Sequence, residues 1–167
     1  MTEKRTEFGS LDNFQKGGID IVDDDPRNYV FSNIYETAAR SEPYERVCAA
    51  KNFEYVIEVA RAEGQSGWYA CRHDEFVVCM DGEVDVHLVK LDAPEGLVDS
   101  SLDGAQRLEE LPDNQRKMGR VRLKRGHMAL LPVGAAYRFE ASSPAVVIFQ
   151  TIQGAETVEK WAEICLA

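Results

Sequence analysis

Three histidines are the side chains in this sequence best suited to metal binding or acid–base chemistry. His73 lies two residues before Glu75, but a catalytic metal needs three or four convergent donors, and this pair supplies only two. His87 lies within a run of alternating apolar residues and His127 follows a glycine, and neither has a second donor at ligand spacing. The histidines alone therefore do not predict a metal centre.

Other residue patterns that carry catalysis either do not occur in the sequence or fail on geometry. The sequence contains no GxSxG, no P-loop glycine–lysine pair and no HExxH. Asp74 and Glu75 are adjacent carboxylates, but neighbouring residues on a strand point to opposite faces, so they do not form a catalytic pair. Residues 115–125, QRKMGRVRLKR, are strongly basic and could bind an anion, balance the acidic segment before them or meet an acidic partner.

The composition describes one acidic, globular domain. The chain has 167 residues, 44% of them hydrophobic, which is enough to bury the core of a single domain. The formal net charge of −10 would repel nucleic acids and anionic membranes, so neither is expected as a partner. The N-terminal residues MTEKRTEFGS lack the apolar core of a secretory signal, and no apolar run is long enough to span a membrane.

The four cysteines give information about the cellular compartment rather than about a catalytic site. They contain no CxxC pair, and three of them fall within apolar strand or helix patterns. We expect buried thiols in a reducing cytoplasm rather than a framework of disulfides, because disulfides persist mainly in oxidising compartments.

Alternation of apolar and polar residues predicts a chain built mostly of short β-strands. In residues 53–64, FEYVIEVARAEG, every second residue from Tyr55 shares one face and the intervening residues share the other. EFVVCM, DG and EVDVHLVKL, residues 75–91, predict a hairpin, because Asp-Gly accepts the positive φ angles of a tight turn. Four further strands are predicted for GRVRLKRG, HMALLP, AYRFEA and AVVIFQTI. Short strands at close intervals favour an all-β barrel or sandwich.

Three segments fall outside this strand pattern. Residues 1–30 are polar and rich in turn formers, which predicts an N-terminal arm, and the following YVFSNIYETAA is predicted to be a strand leading into a turn. Residues 92–118 form a long polar segment that is either a solvated excursion or a docking loop. Residues 155–167 have helical spacing, with Trp161 on the apolar face. The predicted organisation is an arm (1–30), a barrel (31–154) and a short C-terminal helix (155–167).

Two stretches resemble the paired motifs of the cupin superfamily. The first, GWYACRHDEFVVCMDG, begins at Gly67, and the second, GHMALLPVGAAYRFEA, begins at Gly126. Glycine and proline suit tight corners between barrel strands, so these residues report a scaffold rather than a chemistry. The predicted scaffold residues are Gly67, Gly82, Gly126, Pro132 and Gly134. The resemblance implies an all-β, cupin-like β-barrel, a jelly roll also described as a double-stranded β-helix.

The same resemblance identifies the positions at which cupins hold a metal. In this sequence they are Tyr69, Cys71, Glu75 and Tyr137, and none is a histidine. A tyrosine hydroxyl, with an ordinary pKa of about 10, is a poor ligand at neutral pH, so we expect no metal or other cofactor in this chain. One interpretation is an inert polar plug in which the four side chains bond to one another. The other is a pocket for a small aromatic or polar ligand, walled by Tyr69 and Tyr137.

Longer stretches resemble one enzyme family. VFSNIYETAARSEPYERV, KNFEYVIEVARAEG and HDEFVVCMDGEVDVHLVKLD are similar to the small subunit of two-component hydroquinone 1,2-dioxygenases. In those α2β2 enzymes the large subunit holds Fe(II) and cleaves hydroquinone to 4-hydroxymuconic semialdehyde. The resemblance implies that this chain has no catalytic residue of its own. It also implies that Fe(II) lies in a larger catalytic partner, which this chain stabilises and shapes.

The subunit hypothesis and its alternative predict different surfaces. An obligate subunit needs a large and rather apolar interface, for which Trp161 and the aromatic residues of the arm are candidate anchors. The arm residues are Phe8, Phe14, Tyr29 and Phe31. Each of these side chains could instead pack on its own barrel. The alternative is a stand-alone, metal-free cupin that binds a small aromatic or sugar-like ligand, or an isomerase with Glu75 as its base.

Overall fold

The computed structural model describes residues 9–14, 33–111, 115–160 and 163. Within these residues the chain forms ten β-strands after a single short helix, α1 (Ile34–Ala39), with a 3-10 turn at Pro94–Gly96. The strands are β1 (Arg46–Asn52), β2 (Tyr55–Gln65), β3 (Trp68–Ala70), β4 (Glu75–Asp81), β5 (Glu83–Lys90), β6 (Gln106–Leu108), β7 (Arg116–Lys124), β8 (Met128–Leu131), β9 (Ala135–Ile152) and β10 (Thr157–Val158). This confirms the predicted all-β class and the cupin-like barrel.

The 18-residue strand β9 is the spine of the barrel. Its second half pairs with β2 and β4, and its first half pairs with β3 and β5. The sheet therefore has two halves, β10–β1–β2–β9–β4–β8 and β6–β3–β9–β5–β7, which share β9 and curl around one interior. Alternate residues of each strand face that interior, and its largest buried apolar side chains include Phe139, Phe149 and Leu131.

The Asp81–Gly82 turn is not the hairpin that the sequence predicts. Strand β4 pairs with β8 and β9, and β5 pairs with β7 and β9, so β4 and β5 run one after the other along β9. Gly82 has a φ of +72°, and a Cβ there would lie 2.8 Å from the Cβ of Ala145. Glycine is thus required at this corner. Strand β9 is long enough to pair with both β4 and β5, so the chain turns a corner along β9 and does not fold back into a hairpin. The turn residues do not encode the length of β9.

The remaining scaffold residues differ in their backbone conformations. Gly126 and Gly134 have φ angles of +83° and +79°, and the Pro132 carbonyl closes the β8–β9 turn by accepting from the Ala135 amide at 3.2 Å. Gly67 lies in the short connection between β2 and β3, and it is not among the glycines with positive φ. A Cβ at Gly67 would approach the side chain of Arg107 to 3.1 Å, so close packing favours glycine at this position.

Helix α1 occupies part of the segment predicted to be a strand. Asn33 caps it by accepting hydrogen bonds from the amides of Tyr35 and Glu36, at 3.0 and 3.3 Å. The helix packs Ala38 against Val59 on the outer side of the barrel. A good cap and a buried helical face therefore outweigh the aromatic and β-branched residues that favour a strand.

The C-terminal segment differs in the same way from the helix predicted for residues 155–167. Thr157 and Val158 form β10, which pairs in parallel with β1 at Arg46 and Val47. Pairing with β10 satisfies backbone groups on the edge of β1, which this segment would leave to water if it were a helix. Glu163 is helical, and the rest of the predicted helix, including Trp161, lies outside the described residues.

The arm and the long loop are partly described. In the arm, the Leu11 amide donates to Asp81 Oδ2 at 2.8 Å, and Phe14 stacks on Tyr35 at 6.5 Å, so this part packs on its own barrel. The aromatic residues at positions 8, 29 and 31 lie outside the described residues. The predicted loop 92–118 contains β6, ends early because β7 begins at Arg116, and buries Val98. A wholly solvated excursion is therefore the wrong description of it.

Two further expectations concern the thiols and the membrane. Cys48, Cys71 and Cys79 are buried free thiols. No helix in the described part of the chain is long and apolar enough to cross a membrane.

Candidate functional site

Arg46 is buried and contacts charged or polar side chains from three other strands. Its Nε donates to Glu58 Oε2 on β2 at 2.5 Å, and its Nη2 donates to Glu75 Oε1 on β4 at 2.8 Å. Its Nη1 donates to the Tyr137 hydroxyl on β9 at 3.1 Å. The guanidinium carbon lies 4.2 Å from the centre of the Phe149 ring, which is a cation–π contact. We name Arg46, Glu58, Glu75 and Tyr137 the interior network.

A second set of hydrogen bonds completes the interior network. The Tyr137 hydroxyl donates to Glu75 Oε2. Thr157 on β10 donates to Glu58 Oε1 at 2.5 Å, which ties the strand at the edge of the sheet to the same network. Glu58 and Glu75 are 2% and 0% exposed, and a buried charge without a partner is strongly destabilising. The paired guanidinium is therefore what allows two carboxylates to occupy the interior.

Burial and pairing together set the protonation states of the network. Burial alone would raise the pKa of Glu75, but Arg46 and the hydroxyl of Tyr137 stabilise the carboxylate and hold its pKa below the usual value. Burial, reinforced by the charge of Glu75, raises the pKa of Tyr137 well above its ordinary value. Burial disfavours the charge on Arg46, yet Glu75 and Glu58 keep the pKa of this guanidinium high. Arg46 and Glu75 are thus held in their charged forms, and the phenol of Tyr137 is neutral.

The four positions taken from the cupin motifs do not all come together. Tyr137 bonds to Glu75, and Tyr69 stacks on Tyr137 with ring centres 6.0 Å apart. Cys71 points elsewhere, since its thiol donates to the carbonyl oxygen of Gly104 at 3.1 Å. Burial, followed by the charge of Glu75, raises the pKa of Cys71 to about 11, so its thiol stays protonated at neutral pH. Of the predicted polar plug, two side chains bond directly and one stacks on them.

These residues do not fit a metal ion. A guanidinium already pairs with Glu75 and Tyr137, and neither a neutral phenol nor a protonated thiol is a good ligand for a divalent metal. Across the part of the chain that the structure describes, no three His, Cys, Asp or Glu side chains converge to hold a metal.

The three histidines lie apart on the outer surface. His73 is within 2.9 Å of the Asp74 carbonyl, His87 is 3.1 Å from a Glu140 carboxylate oxygen, and His127 accepts from the Lys124 amide. Each histidine therefore contacts a different neighbouring group, and the three do not converge on one site.

The interior network also does not fit a general base. Glu75 is completely buried, and its two carboxylate oxygens bond to Arg46 and Tyr137. A base must reach a substrate proton and must have a pKa near the working pH, whereas the pKa of Glu75 is lowered. The arrangement can hold four strands in fixed register, and it offers no side chain to a substrate.

Sequence reasoning did not identify Arg46 and Glu58 as members of the network. Glu58 did carry a signal, because it interrupts an otherwise apolar face of β2 that includes Val56 and Ala60. Arg46 carried none, because it stands at the first position of a strand where an exposed arginine would be ordinary. Only the folded barrel brings the two side chains together.

The basic segment 115–125 pairs with the neighbouring strand rather than with the loop before it. Arg122 makes two hydrogen bonds of 2.8 Å to Asp85 on β5, and Lys124 lies 3.5 Å from Glu83. The hydrogen bonds from Arg122 lower the pKa of Asp85. These exposed pairs form a charged outer surface on the β5–β7 side of the barrel.

Among the solved structures that match, two contain a chain that matches nearly the whole of this one. Hydroquinone 1,2-dioxygenase from Sphingomonas sp. TTNP3, with 4-hydroxybenzoate bound, contains a chain that is 61% identical, with a TM-score of 0.90 and 98% of each chain covered. Hydroquinone 1,2-dioxygenase PnpCD, in complex with Cd2+ and 4-hydroxybenzonitrile, contains a chain that is 52% identical, with a TM-score of 0.87, covering 100% of this chain and 99% of that chain. No protein-family model and no curated protein matches the sequence.

Other structures of these two enzymes also match, through a different kind of chain. PnpCD in complex with Fe3+ contains a chain that is 8% identical, with a TM-score of 0.60, and the match covers 84% of this chain but only 37% of that chain. The Sphingomonas enzyme in complex with 4-nitrophenol gives 10% identity, a TM-score of 0.57 and coverage of 86% and 40%. At these identities the likeness shows a shared fold only. It also shows that the second kind of chain is much longer.

Proposed function

The chain belongs to the hydroquinone 1,2-dioxygenase family, and from this premise we propose that it is the non-catalytic small subunit of a heteromeric, Fe(II)-dependent ring-cleaving dioxygenase. The enzyme would convert hydroquinone to 4-hydroxymuconic semialdehyde. The ring-opening chemistry would belong to iron held by a longer subunit of related fold. The family membership rests on end-to-end similarity at 61% and 52% identity.

The observation that carries the non-catalytic role is the position of Arg46. Its guanidinium bonds to both Glu75 and Tyr137, two of the positions that the resemblance to the cupin motifs assigns to metal ligands. A positive charge supplied by the protein replaces the positive charge of an ion, and the carboxylates remain satisfied. A barrel organised in this way contributes rigidity and surface to a complex and leaves metal chemistry to its partner.

The partner is proposed to be the longer kind of chain. Two enzymes of this name each supply one chain that matches this chain end to end and one that contains the same fold within a much longer sequence. An α2β2 assembly of the two kinds of chain is the arrangement we propose. A cytoplasmic location is proposed with it, supported by three buried thiols that are not paired with one another.

The alternative of a small ligand inside the barrel is not favoured. Tyr69 and Tyr137 stack on each other and do not form two walls with a gap between them. A ligand would have to displace the Arg46 ion pairs, which would leave buried charges without partners.

The test is to compare this chain alone with the same chain co-expressed with the longer chain of the Sphingomonas enzyme. Elemental analysis of the isolated chain grown with Fe(II) should find well below one iron per chain, and the chain should not consume hydroquinone. The co-expressed complex should contain iron and consume O2 and hydroquinone together. Stoichiometric iron in the isolated chain, or ring cleavage without the longer chain, would contradict the proposal.

A further inference from the structure

One outer face of the barrel spans four adjacent strands and is largely apolar, with Gln150 of β9 as a polar residue within it. Residues that point outward from β2, β9, β4 and β8 lie side by side in register, as Ile57, Gln150, Phe76 and Leu130. The outer face of an antiparallel sheet that meets water normally carries polar residues. We name this surface the apolar face, and its exposed hydrophobic residues are Tyr55, Ile57, Phe76, Met128 and Leu130.

The side chains of the apolar face are substantially exposed in the isolated chain. Tyr55 is 60% exposed and Met128 is 61% exposed, at opposite corners of the face. Two shallow cavities of about 370 and 220 Å³ border Tyr55, and both are lined in part by Gln150. The face therefore presents ridges and hollows into which the side chains of another protein can pack.

The fold covers the neighbouring part of the same outer surface and leaves this part open among the described residues. Val59 and Val146, further along β2 and β9, are fully buried beneath α1 through Ala38. Leu11, from the described part of the arm, packs on the same cluster. A contiguous apolar patch that stays exposed beside a covered one marks a candidate surface for contact with another protein.

The hairpin next to the apolar face adds an independent observation. Phe53, in the β1–β2 turn, has a φ of +56° and is 84% exposed. A bulky side chain in the left-handed region is unfavourable, and glycine or asparagine is the usual residue there. The chain thus holds an aromatic ring in water at a strained position, two residues from Tyr55. Because strained residues cluster at functional sites, this ring is a candidate contact for a partner.

The size of the face indicates the centre of a larger interface. Four strands about 4.8 Å apart and rows about 3.4 Å apart give an area on the order of 300 Å². A stable interface buries about 800 Å² on each partner. The apolar face is therefore large enough for the dry core of an interface, and the surrounding polar residues would form its rim.

We propose that the longer, iron-holding chain docks on the apolar face through its own barrel, an inference that rests on the proposed function. The net charge of −10 opposes face-to-face pairing of two copies of this chain. The longer chains of the related enzymes contain the same fold, so a barrel-to-barrel contact between unlike chains needs no additional domain. The charged surface around Arg122 and Asp85 lies on the other half of the sheet and stays outside this contact.

The decisive experiment compares two identical substitutions on the two surfaces. Met128→Glu places a charge on the apolar face, and Met118→Glu places the same charge on β7, where the methionine is similarly exposed. Each variant is co-expressed with the tagged longer chain of the Sphingomonas enzyme. The affinity is then measured by titration of the purified chains and the assembly by light scattering. We expect at least about tenfold weaker binding for Met128→Glu, and a change within about twofold for Met118→Glu.

Each outcome has a separate meaning. If the unsubstituted chains do not associate, the proposed function fails. If they associate and Met128→Glu binds as tightly as Met118→Glu, the docking surface is wrong and the proposed function stands. If Met128→Glu instead abolishes a dimer of this chain alone, the occupant is a second copy and the proposal is overturned. Tyr55→Lys, at the opposite corner of the face, should reproduce the loss with a substitution that needs no repacking of the interior.

Discussion

The interior network and the apolar face reverse the usual distribution of polar and apolar residues in a barrel. The interior of this barrel holds three charged side chains, and they satisfy one another completely enough to be sealed from water. The outer face holds hydrophobic side chains that nothing in the described chain covers. Charges inside that are already paired cannot act on a substrate, and apolar groups outside without a partner favour association. The difference indicates a protein whose contribution lies on its surface.

The largest expected effect comes from removing the cation of the interior network. Arg46→Met keeps much of the side-chain volume but leaves Glu58 and Glu75 buried without their ion pair, which should cost about 3–5 kcal/mol of unfolding free energy. Urea denaturation followed by circular dichroism measures the loss. The control is Arg122→Met, which removes an exposed arginine that also pairs with a carboxylate and should change stability little. Equal losses in the two variants would mean that the interior network does not stabilise the fold.

The pH dependence should report Glu75 within the same network. Its pKa is lower in the folded chain than the ordinary value of 4.5, so its stabilising contribution is present above pH 4.5 and is lost as the pH falls through the folded pKa. Glu75→Gln should therefore flatten the decline of unfolding free energy below about pH 4.5, although the variant is less stable at neutral pH. An unchanged slope in Glu75→Gln would assign the acid sensitivity to other carboxylates.

A smaller effect is expected from the phenol of the network. Tyr137→Phe removes a hydroxyl that donates to Glu75 and accepts from Arg46, while it keeps the ring that stacks on Tyr69. The loss of one hydrogen-bonded buried group should cost about 1–3 kcal/mol, measured by thermal or urea unfolding. Tyr55→Phe, on the apolar face, should leave the stability of the isolated chain unchanged. If Tyr137→Phe left the free energy of unfolding unchanged, Arg46 alone would be enough to maintain the charge state of Glu75.

Substitutions at Phe53 should have the smallest effect on the stability of the isolated chain and a clear effect on its affinity for the longer chain. Phe53→Gly relieves a positive φ and removes an exposed ring, so the stability of the isolated chain should change by less than about 1 kcal/mol. Its affinity for the longer chain should fall several-fold. Phe53→Asn should behave in the same way, and Phe53→Tyr, which keeps the ring, should bind normally. Binding that is unaffected by the loss of the ring would place the hairpin outside the interface.

The sequence predicts the class of fold well and the path of the chain less well. Alternation identified the strands of the barrel, and the glycines at positions 82, 126 and 134 marked real corners. The residues around Gly82 predict a hairpin because they specify a tight bend, but they say nothing about which strand lies alongside. For a similar reason the sequence predicts a strand where α1 forms and a helix where β10 forms. Their local preferences are weak, and contacts with the barrel decide their conformation.

By itself the sequence determined that the positions of a cupin metal site lack histidine, because residue types and motif spacing are properties of the chain alone. Only the tertiary structure decided what two of those positions, Glu75 and Tyr137, contact. Arg46 meets Glu75 and Tyr137 across 29 and 91 residues of sequence, and no local pattern predicts contacts at such separations. The same holds for the apolar face, whose rows join four strands that are distant in the chain. Register between strands, set by the closure of the barrel, placed the charges inside and the hydrophobic side chains outside.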